Sequence, residues 1–149
     1  MPDIVDQATR SRMMAGIRSK DTQPEMRVRR WLHARGYRYR LHPAGLPGHP
    51  DLILPRYRTV VFVNGCFWHR HEDCRFAYEP KTRASFWQAK FRANLERDAR
   101  VSRDLSSLGW NVEIVWECET RGNRLEERLG RLEVALRASP VQTYSDART

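Results

Sequence analysis

Residues 64–74 of this chain concentrate side chains that can bind a metal ion and transfer protons. Cys66, His71 and Cys74 are spaced like metal ligands, and the chain has one further cysteine, Cys118. Zn²⁺ binds thiolate sulfur and neutral imidazole nitrogen, so three cysteines and one histidine form a common tetrahedral zinc site. We therefore predict a structural zinc site from these four residues, which leaves the imidazole of His69 unassigned inside the same loop.

The cysteines also admit other interpretations. A free cysteine is often a small buried apolar residue, and Cys118 follows an apolar run that could be a core strand. A disulfide framework is the least favoured interpretation, because the chain has three cysteines and no recognisable secretory segment at its start. The choice between zinc ligand and core residue stays open for Cys118.

A second candidate for chemistry is Asp51, which stands at the start of the apolar run 51–54. The next apolar run, 59–63, leads directly into the loop that carries His69. Two such strands lying side by side can bring Asp51 close to Val63. A carboxylate can hold the Mg²⁺ that a nuclease uses to neutralise phosphate, and a histidine can supply the proton transfer. An aspartate at the start of a strand is also common as a turn or cap residue, so this pair is a candidate only.

The composition of the chain indicates what kind of molecule it binds. The chain has 149 residues, a formal charge of +9 and a pI near 10.2, and arginine greatly outnumbers lysine. The guanidinium group forms paired hydrogen bonds with phosphate oxygens and with guanine, so we expect a nucleic-acid partner rather than a merely solvated basic surface. No apolar run is long enough to cross a bilayer, and we expect a cytoplasmic protein.

The hydrophobic patterns predict a single α/β domain over residues 21–138, between a basic arm at 1–20 and a flexible tail at 139–149. Thr22 and Glu25 form a capping-box pattern that opens a helix, and Gly36 is placed to end it. Strands are predicted at 37–41, 51–54, 59–63 and 111–116, and further helices at 84–108 and 124–137.

One face of the helix predicted at 84–108 suits contact with DNA. Trp87, Lys90, Asn94 and Arg97 recur at three- and four-residue spacing and therefore lie on the same side. An aromatic ring flanked by basic and amide groups favours a surface that faces a DNA groove. A half-buried face with Trp87 in the core is the alternative.

The arm at 1–20 is the other candidate DNA contact. Arg10 and Arg12 flank a small apolar group that includes Met14, and phosphate contacts from such arginines would fix the position of the protein on DNA. An arm that has no partner is an equally good interpretation.

Several segments, taken together, resemble the very-short-patch repair (Vsr) mismatch endonucleases over residues 6–137, and the Gly-Cys-Phe-Trp-His element at 65–69 is the most specific of them. The other similar segments are 8–14, 21–22, 46–51, 60–64, 82–87, 94–98 and 109–118. The resemblance implies a restriction-endonuclease-like core, in which a central mixed β-sheet is flanked by helices and stabilised by zinc. It also implies an enzyme that nicks one strand 5′ of the thymine in a T·G mismatch left by deamination of 5-methylcytosine.

The resemblance assigns roles to individual residues. It implies that Asp51 binds Mg²⁺ together with the backbone carbonyl of Val63, that His69 is the catalytic histidine, and that Glu25 holds water molecules of the metal. The capping-box pattern explains Glu25 without any catalytic role. Orthodox nucleases of this fold carry an acid-x-lysine element on the second strand, and its absence at 61–64 leaves His69 as the available proton carrier.

The same resemblance implies that Phe67, Trp68 and Trp87 form an aromatic wedge that enters the base stack, and it supports the four zinc ligands. Two departures stand out: Asn64 replaces a histidine of the family, and Cys74 comes one residue later than expected. Asn64 cannot take any role that the histidine has in the family. The later position of Cys74 means that a longer loop must bring its sulfur to the metal.

Three functions remain in competition: a mismatch-directed DNA nickase, a restriction-type endonuclease of the same fold, and an inactive zinc-stabilised DNA-binding module. Retention of Asp51 and His69 argues against the third. A monomer is expected because the sequence predicts no long apolar helix face that would pair with a second copy, and mismatch-repair proteins are possible further partners.

Overall fold

The computed structural model describes residues 21–138 of the chain. The predicted arm with Arg10, Arg12 and Met14, and the predicted tail at 139–149, lie outside this range. In chain order the helices and strands are α1 (Gln23–Ala34), β1 (Arg40–Leu41), β2 (Leu52–Leu54), β3 (Thr59–Asn64), α2 (Ala84–Ser107), β4 (Asn111–Trp116) and α3 (Asn123–Ala138). Two single 3₁₀ turns, Pro55–Tyr57 and Glu117–Thr120, follow β2 and β4.

Local signals set the two ends of α1. The hydroxyl of Thr22 accepts a hydrogen bond from the backbone N–H of Glu25 at 3.3 Å, and Gly36 leaves the helix with a φ of +85° that favours glycine. The Glu25 carboxylate accepts a hydrogen bond from the backbone N–H of Asp21 at 3.1 Å. In a capping box the donor would be the next residue, the cap residue Thr22. The helix start and end predicted from the sequence are confirmed.

The four strands form one mixed sheet in the order β1-β2-β3-β4. The first two pairs are antiparallel, with Leu52 opposite Val61, whereas β3 and β4 run parallel, with Thr59 opposite Asn111. The prediction of a strand over 37–41 was too long, because only Arg40–Leu41 joins the sheet. Two tyrosines that precede it reach the helices instead: the hydroxyl of Tyr37 donates to Glu133 on α3, and that of Tyr39 to a carbonyl of α1.

Helices pack against apolar residues on both faces of the sheet, which gives three layers. The alternation of side chains along β2 and β3 sends Leu52, Leu54 and Val61 to one face, where α1 and α3 pack. Ile53 and Val60 point to the other face, toward α2. The fully buried helical residues of the first layer are Val28, Leu32, Leu129, Leu132 and Leu136.

This arrangement confirms the predicted α/β class with a mixed central sheet flanked by helices. Between residues 21 and 138 no helix combines the length and the apolar character that a bilayer crossing requires. The ends of β3 and β4 and the middle of α2 converge at one edge of the sheet, where the candidate site lies.

Candidate active site

Backbone hydrogen bonds fix Asp51 at the end of the sheet. Its N–H donates to the carbonyl of Val61 at 3.1 Å, and its carboxylate accepts the N–H of Val63 at 2.6 Å. The aspartate predicted from the start of a strand is therefore tied to the neighbouring strand β3. It lies beside Val63, as the predicted pairing of the two strands requires.

The loop before Asp51 packs directly on α2. At Gly48 the backbone adopts a φ of +77°, and a Cβ built there would lie 2.3 Å from a methyl carbon of Val101. No real Cβ tolerates that distance, so only glycine lets the loop approach the helix this closely. The contact locks the segment that carries Asp51 to the helix that carries Asp98.

Burial dominates the electrostatics of Asp51. It raises the pKa of this carboxyl to about 6, although the hydrogen bond from Val63 opposes the rise. The neighbouring Glu25 carboxylate raises the pKa further, and His42 lowers it. Near neutral pH the site therefore holds a poorly solvated negative charge, which an oxygen-preferring divalent cation such as Mg²⁺ would stabilise.

Glu25 is almost completely buried and lies in a network that includes His42. Its carboxylate is 2.8 Å from Nε2 of His42 and 3.4 Å from the guanidinium of Arg29. The backbone N–H of His42 donates to the carbonyl of Asp51 at 2.9 Å, so His42 links Glu25 to the metal-binding candidate. Asp21, Glu25 and His42 also bring ligand atoms within 4.8 Å of one another, but Arg29 already pairs with both carboxylates.

The imidazole of His69 is paired with a carboxylate that the sequence analysis did not assign. Nδ1 of His69 lies 2.6 Å from Oδ2 of Asp98 on α2, and both side chains are about one-quarter to one-third exposed (25% and 31%). Such a pair keeps a proton on Nδ1 and leaves Nε2 to exchange protons with a substrate. Two sequence signals pointed to Asp98 without giving it a role: it belongs to the Vsr-like segment 94–98, and it lies four residues after Asn94 on the same helix face.

Asp51, His69 and Asp98 all line one cleft of about 570 Å³. Trp68 and Asn64 contribute to its walls as well. Its volume lies in the range of ligand-binding clefts and can accommodate a phosphodiester with its sugar. The structure thus brings the two residues proposed for catalysis into one site.

The four predicted zinc ligands also converge. The ligand atoms of Cys66, His71, Cys74 and Cys118 all lie within 4.8 Å of one another. Nδ1 of His71 is 3.6 Å from the sulfur of Cys66 and 3.5 Å from that of Cys118. A tetrahedral zinc site requires roughly 3.5–3.8 Å between ligand atoms, and the two distances from His71 lie in that range.

Cation binding at these ligands would change the protonation of Cys66. Burial raises the pKa of the Cys66 thiol to about 12, so a cation that binds its sulfur as a thiolate would have to displace the thiol proton. The ring of His71 stacks on Trp116 at 4.2 Å and 8°, which fixes the direction in which Nδ1 points. The alternative of an isolated core cysteine does not hold for Cys118, because its sulfur lies among the other three donors.

The longer spacing to Cys74 is absorbed within the loop. Arg70 and Asp73 both adopt left-handed backbone conformations, each with φ near +53°, and these turn the chain back toward Cys66. The guanidinium of Arg70 lies 3.9 Å above the ring of Phe91 and donates to three carbonyls and one carboxylate of the loop. These acceptors belong to Phe67, Ala77, Tyr78 and Glu79.

The aromatic residues of the predicted wedge form one cluster. The ring of Phe67 lies 5.1 Å from that of Trp68, 5.5 Å from that of Trp87 and 5.2 Å from that of the buried Phe91. Tyr78 covers the outer side of Phe67 at 4.9 Å and is 62% exposed. Phe67 is therefore the centre of the cluster, and Trp68 adjoins the cleft.

The helix face with Trp87 and Lys90 is partly buried, and Asn94 is only 7% exposed. The amide of Asn94 donates to the carbonyl of Trp68 at 3.1 Å and accepts from Arg97 at 2.8 Å. Asn94 therefore holds the loop that carries Trp68 against α2, a role that the spacing alone did not indicate.

Comparison with known proteins found a matching family and similar proteins. A family model described as DNA mismatch endonuclease Vsr matches residues 2–75. The DNA mismatch endonuclease Vsr of Escherichia coli (strain K12) is 46% identical over 122 residues, which cover 82% of this chain and 78% of that protein.

Two other relatives carry the description type II nicking enzyme. V.XorIIP of Xanthomonas oryzae pv. oryzae is 45% identical over 137 residues, covering 92% of this chain and 96% of its own length. V.NmeAIP of Neisseria meningitidis serogroup A is 42% identical over 133 residues, covering 89% and 94%.

Proposed function

Because this chain belongs to the Vsr family of DNA mismatch endonucleases, we propose that it nicks one DNA strand 5′ of the thymine in a T·G mismatch. Such mismatches arise when 5-methylcytosine loses its amino group, and a nick at that position starts the replacement of the thymine. The relatives described as nicking enzymes support the cutting of a single strand.

One observation carries the proposal: Asp51 and the His69–Asp98 pair line the same cleft. Hydrolysis of a phosphodiester needs charge neutralisation at phosphorus and a group that exchanges a proton with water or with the leaving oxygen. Asp51 is suited to the first task through a metal ion, and Nε2 of His69 to the second. The same cleft is the argument against an inactive DNA-binding module.

The proposed metal is Mg²⁺, held by Asp51 and the carbonyl of Val63, and it would supply a Lewis acid that withdraws charge from the phosphate. Glu25 pairs with His42 and Arg29 and is near enough to Asp51 to raise the pKa of that carboxyl, which supports its proposed role of binding water near that ion. Water adds to phosphorus and the bond to the leaving oxygen breaks, while His69 exchanges the proton through Nε2. Asp98 keeps the imidazole oriented throughout.

We propose zinc for the ion between Cys66, His71, Cys74 and Cys118, since a closed set of three sulfurs and one nitrogen suits that metal. Its role is structural. It fixes the loop of residues 66–74 at both ends, so that His69 and the aromatic cluster keep their positions relative to α2 when DNA is bent against them.

The aromatic cluster provides the proposed selectivity. A mismatched pair is easier to unstack than a matched one, so rings that enter the stack select the damaged step. Trp68, Phe67 and Trp87 are the proposed wedge, and Lys90 is a proposed phosphate contact on the same helix. Arg10, Arg12 and Met14 remain proposed contacts of the arm, and we propose that the enzyme acts as a monomer.

The test is a nicking assay on two duplexes that differ only in one base pair, T·G or T·A, each labelled on the thymine strand. With magnesium present, we expect one cut 5′ of the thymine in the T·G duplex and an intact T·A duplex. Equal cutting of both would refute mismatch selection, and breaks in both strands would indicate the restriction-type alternative. His69→Ala is the control for a contaminating nuclease.

A further inference from the structure

The cleft contains a buried amide that has no hydrogen-bond partner among residues 21–138. Six polar side chains among residues 21–138 are buried, and five of them form hydrogen bonds or ion pairs with other residues of that range. These five are Glu25, Thr59, Asn94, Thr120 and Arg128. The sixth is Asn64, which is 8% exposed, and within the described part of the chain its side chain makes no hydrogen bond.

The position of Asn64 relates the unpaired amide to the active site. Asn64 is the last residue of β3 and shares a strand face with Val60 and Phe62, which pack toward α2. The cleft begins at this end of the strand, and Asn64 lines it together with Asp51 and His69.

A buried amide without a partner destabilises a fold, because it has lost its bonds to water without replacement. An apolar side chain of the same shape would avoid that cost. An amide is useful here only if its partner arrives from outside the protein. Since Asp51 and His69 flank the same space, the arriving partner is the group on which they act.

We propose that the Asn64 side-chain NH₂ group donates a hydrogen bond to a non-bridging oxygen of the scissile phosphodiester. This rests on the proposed nuclease function and adds a residue to it. The amide is uncharged and does not titrate near neutral pH, so it orients the phosphate and stabilises the charge that grows on its oxygen, and it transfers no proton.

The first arm of the test is thermal unfolding without DNA or added magnesium, and the chain offers a matched control. The side chains of Asn64 and Asn94 are both buried, but within the described range only that of Asn94 forms hydrogen bonds, with the carbonyl of Trp68 and the guanidinium of Arg97. Leucine keeps the branched shape of asparagine. We expect Asn64→Leu to leave Tm unchanged or higher and Asn94→Leu to lower it. An equal fall in both would overturn the proposal, since it would mean that Asn64 has a structural partner.

The second arm is single-turnover nicking of the T·G duplex, together with binding of the uncut duplex without magnesium. Loss of one donor to a developing anion predicts a rate about 10²-fold lower for Asn64→Leu, with binding almost unchanged and partial rescue in Asn64→Gln. A parental rate in Asn64→Leu would overturn the proposal. If the parent itself fails to nick, the proposed function fails instead.

Phosphorothioate substrates identify the atom. Sulfur at one of the two non-bridging positions accepts a hydrogen bond poorly, so with that diastereomer the parent should lose most of its rate advantage over Asn64→Leu. The other diastereomer should retain the advantage. An equal advantage with both would show that the amide does not bond to a non-bridging oxygen.

Discussion

Replacing Asp51 with asparagine should stabilise the magnesium-free protein above pH 6 while it abolishes nicking. Asparagine keeps an oxygen for the N–H of Val63 and removes the charge that burial disfavours. The folded protein raises the pKa of Asp51 from 3.8 to about 6. At 1.36 kcal/mol per pKa unit, a rise of about 2 units corresponds to about 3 kcal/mol.

The direction of the pKa change determines how the stability of the protein depends on pH. Because the folded-state pKa lies above that of the unfolded chain, protonation of Asp51 favours folding. The destabilisation caused by the ionised Asp51 carboxylate is absent below about pH 4, grows between about pH 4 and 6, and is complete above about pH 6. The free energy of unfolding of Asp51→Asn should therefore equal that of the parent at pH 4. At pH 7.5 it should be about 3 kcal/mol higher, which corresponds to a Tm about 6–12 °C higher.

The assay is urea unfolding of both proteins at several pH values, with the structural metal retained and no magnesium added. Glu96→Gln, on the exposed side of α2, controls for the change in net charge. Added magnesium should then stabilise the parent, by RT ln(1 + [Mg²⁺]/Kd), and leave Asp51→Asn unchanged. A stability difference that does not depend on pH, or an Asp51→Asn variant less stable than the parent at pH 7.5, would refute this reasoning.

Three other changes test the remaining parts of the site. Asp98→Asn should lower single-turnover nicking by about 10²-fold or more while DNA binding is kept, because His69 loses the group that sets its tautomer; unchanged nicking would contradict the pairing. Cys74→Ser should lower the metal content measured by elemental analysis below the expected one zinc per chain, together with Tm. A variant that keeps both would exclude Cys74 as a ligand. Trp68→Ala should reduce the preference for T·G over T·A duplex while the salt dependence of binding stays the same. An equal loss of affinity for both duplexes would argue against a wedge.

The sequence predicted those features that local chemistry decides. The cap at Thr22, the helix end at Gly36 and strand β4 all depend on a few neighbouring residues, and the structure has them where the patterns indicate. The metal-binding cluster was also accessible, since three of its ligands lie within nine residues of one another. Only Cys118 had to be brought from elsewhere, and it follows directly after strand β4.

Some side-chain pairings between distant residues were not predicted. His42 meets Glu25 across 17 residues, and Asp98 meets His69 across 29, with nothing in either local pattern to indicate the pairing. The role of Asn94 was missed for the same reason: helical spacing shows that it shares a face with Trp87, but not that this face is covered by the loop of Trp68. Strand β1 was overpredicted because its tyrosines reach the helices.

The proposed mechanism requires that Asp51 and His69 act on the same phosphate. Single-turnover nicking of a labelled T·G duplex by the parent, Asp51→Ala and His69→Ala tests it most directly. We expect magnesium-dependent nicking by the parent, a loss of at least about 10³-fold in each variant, and nearly equal binding of the uncut duplex by all three proteins. Nicking at the parental rate by either variant would contradict the claim.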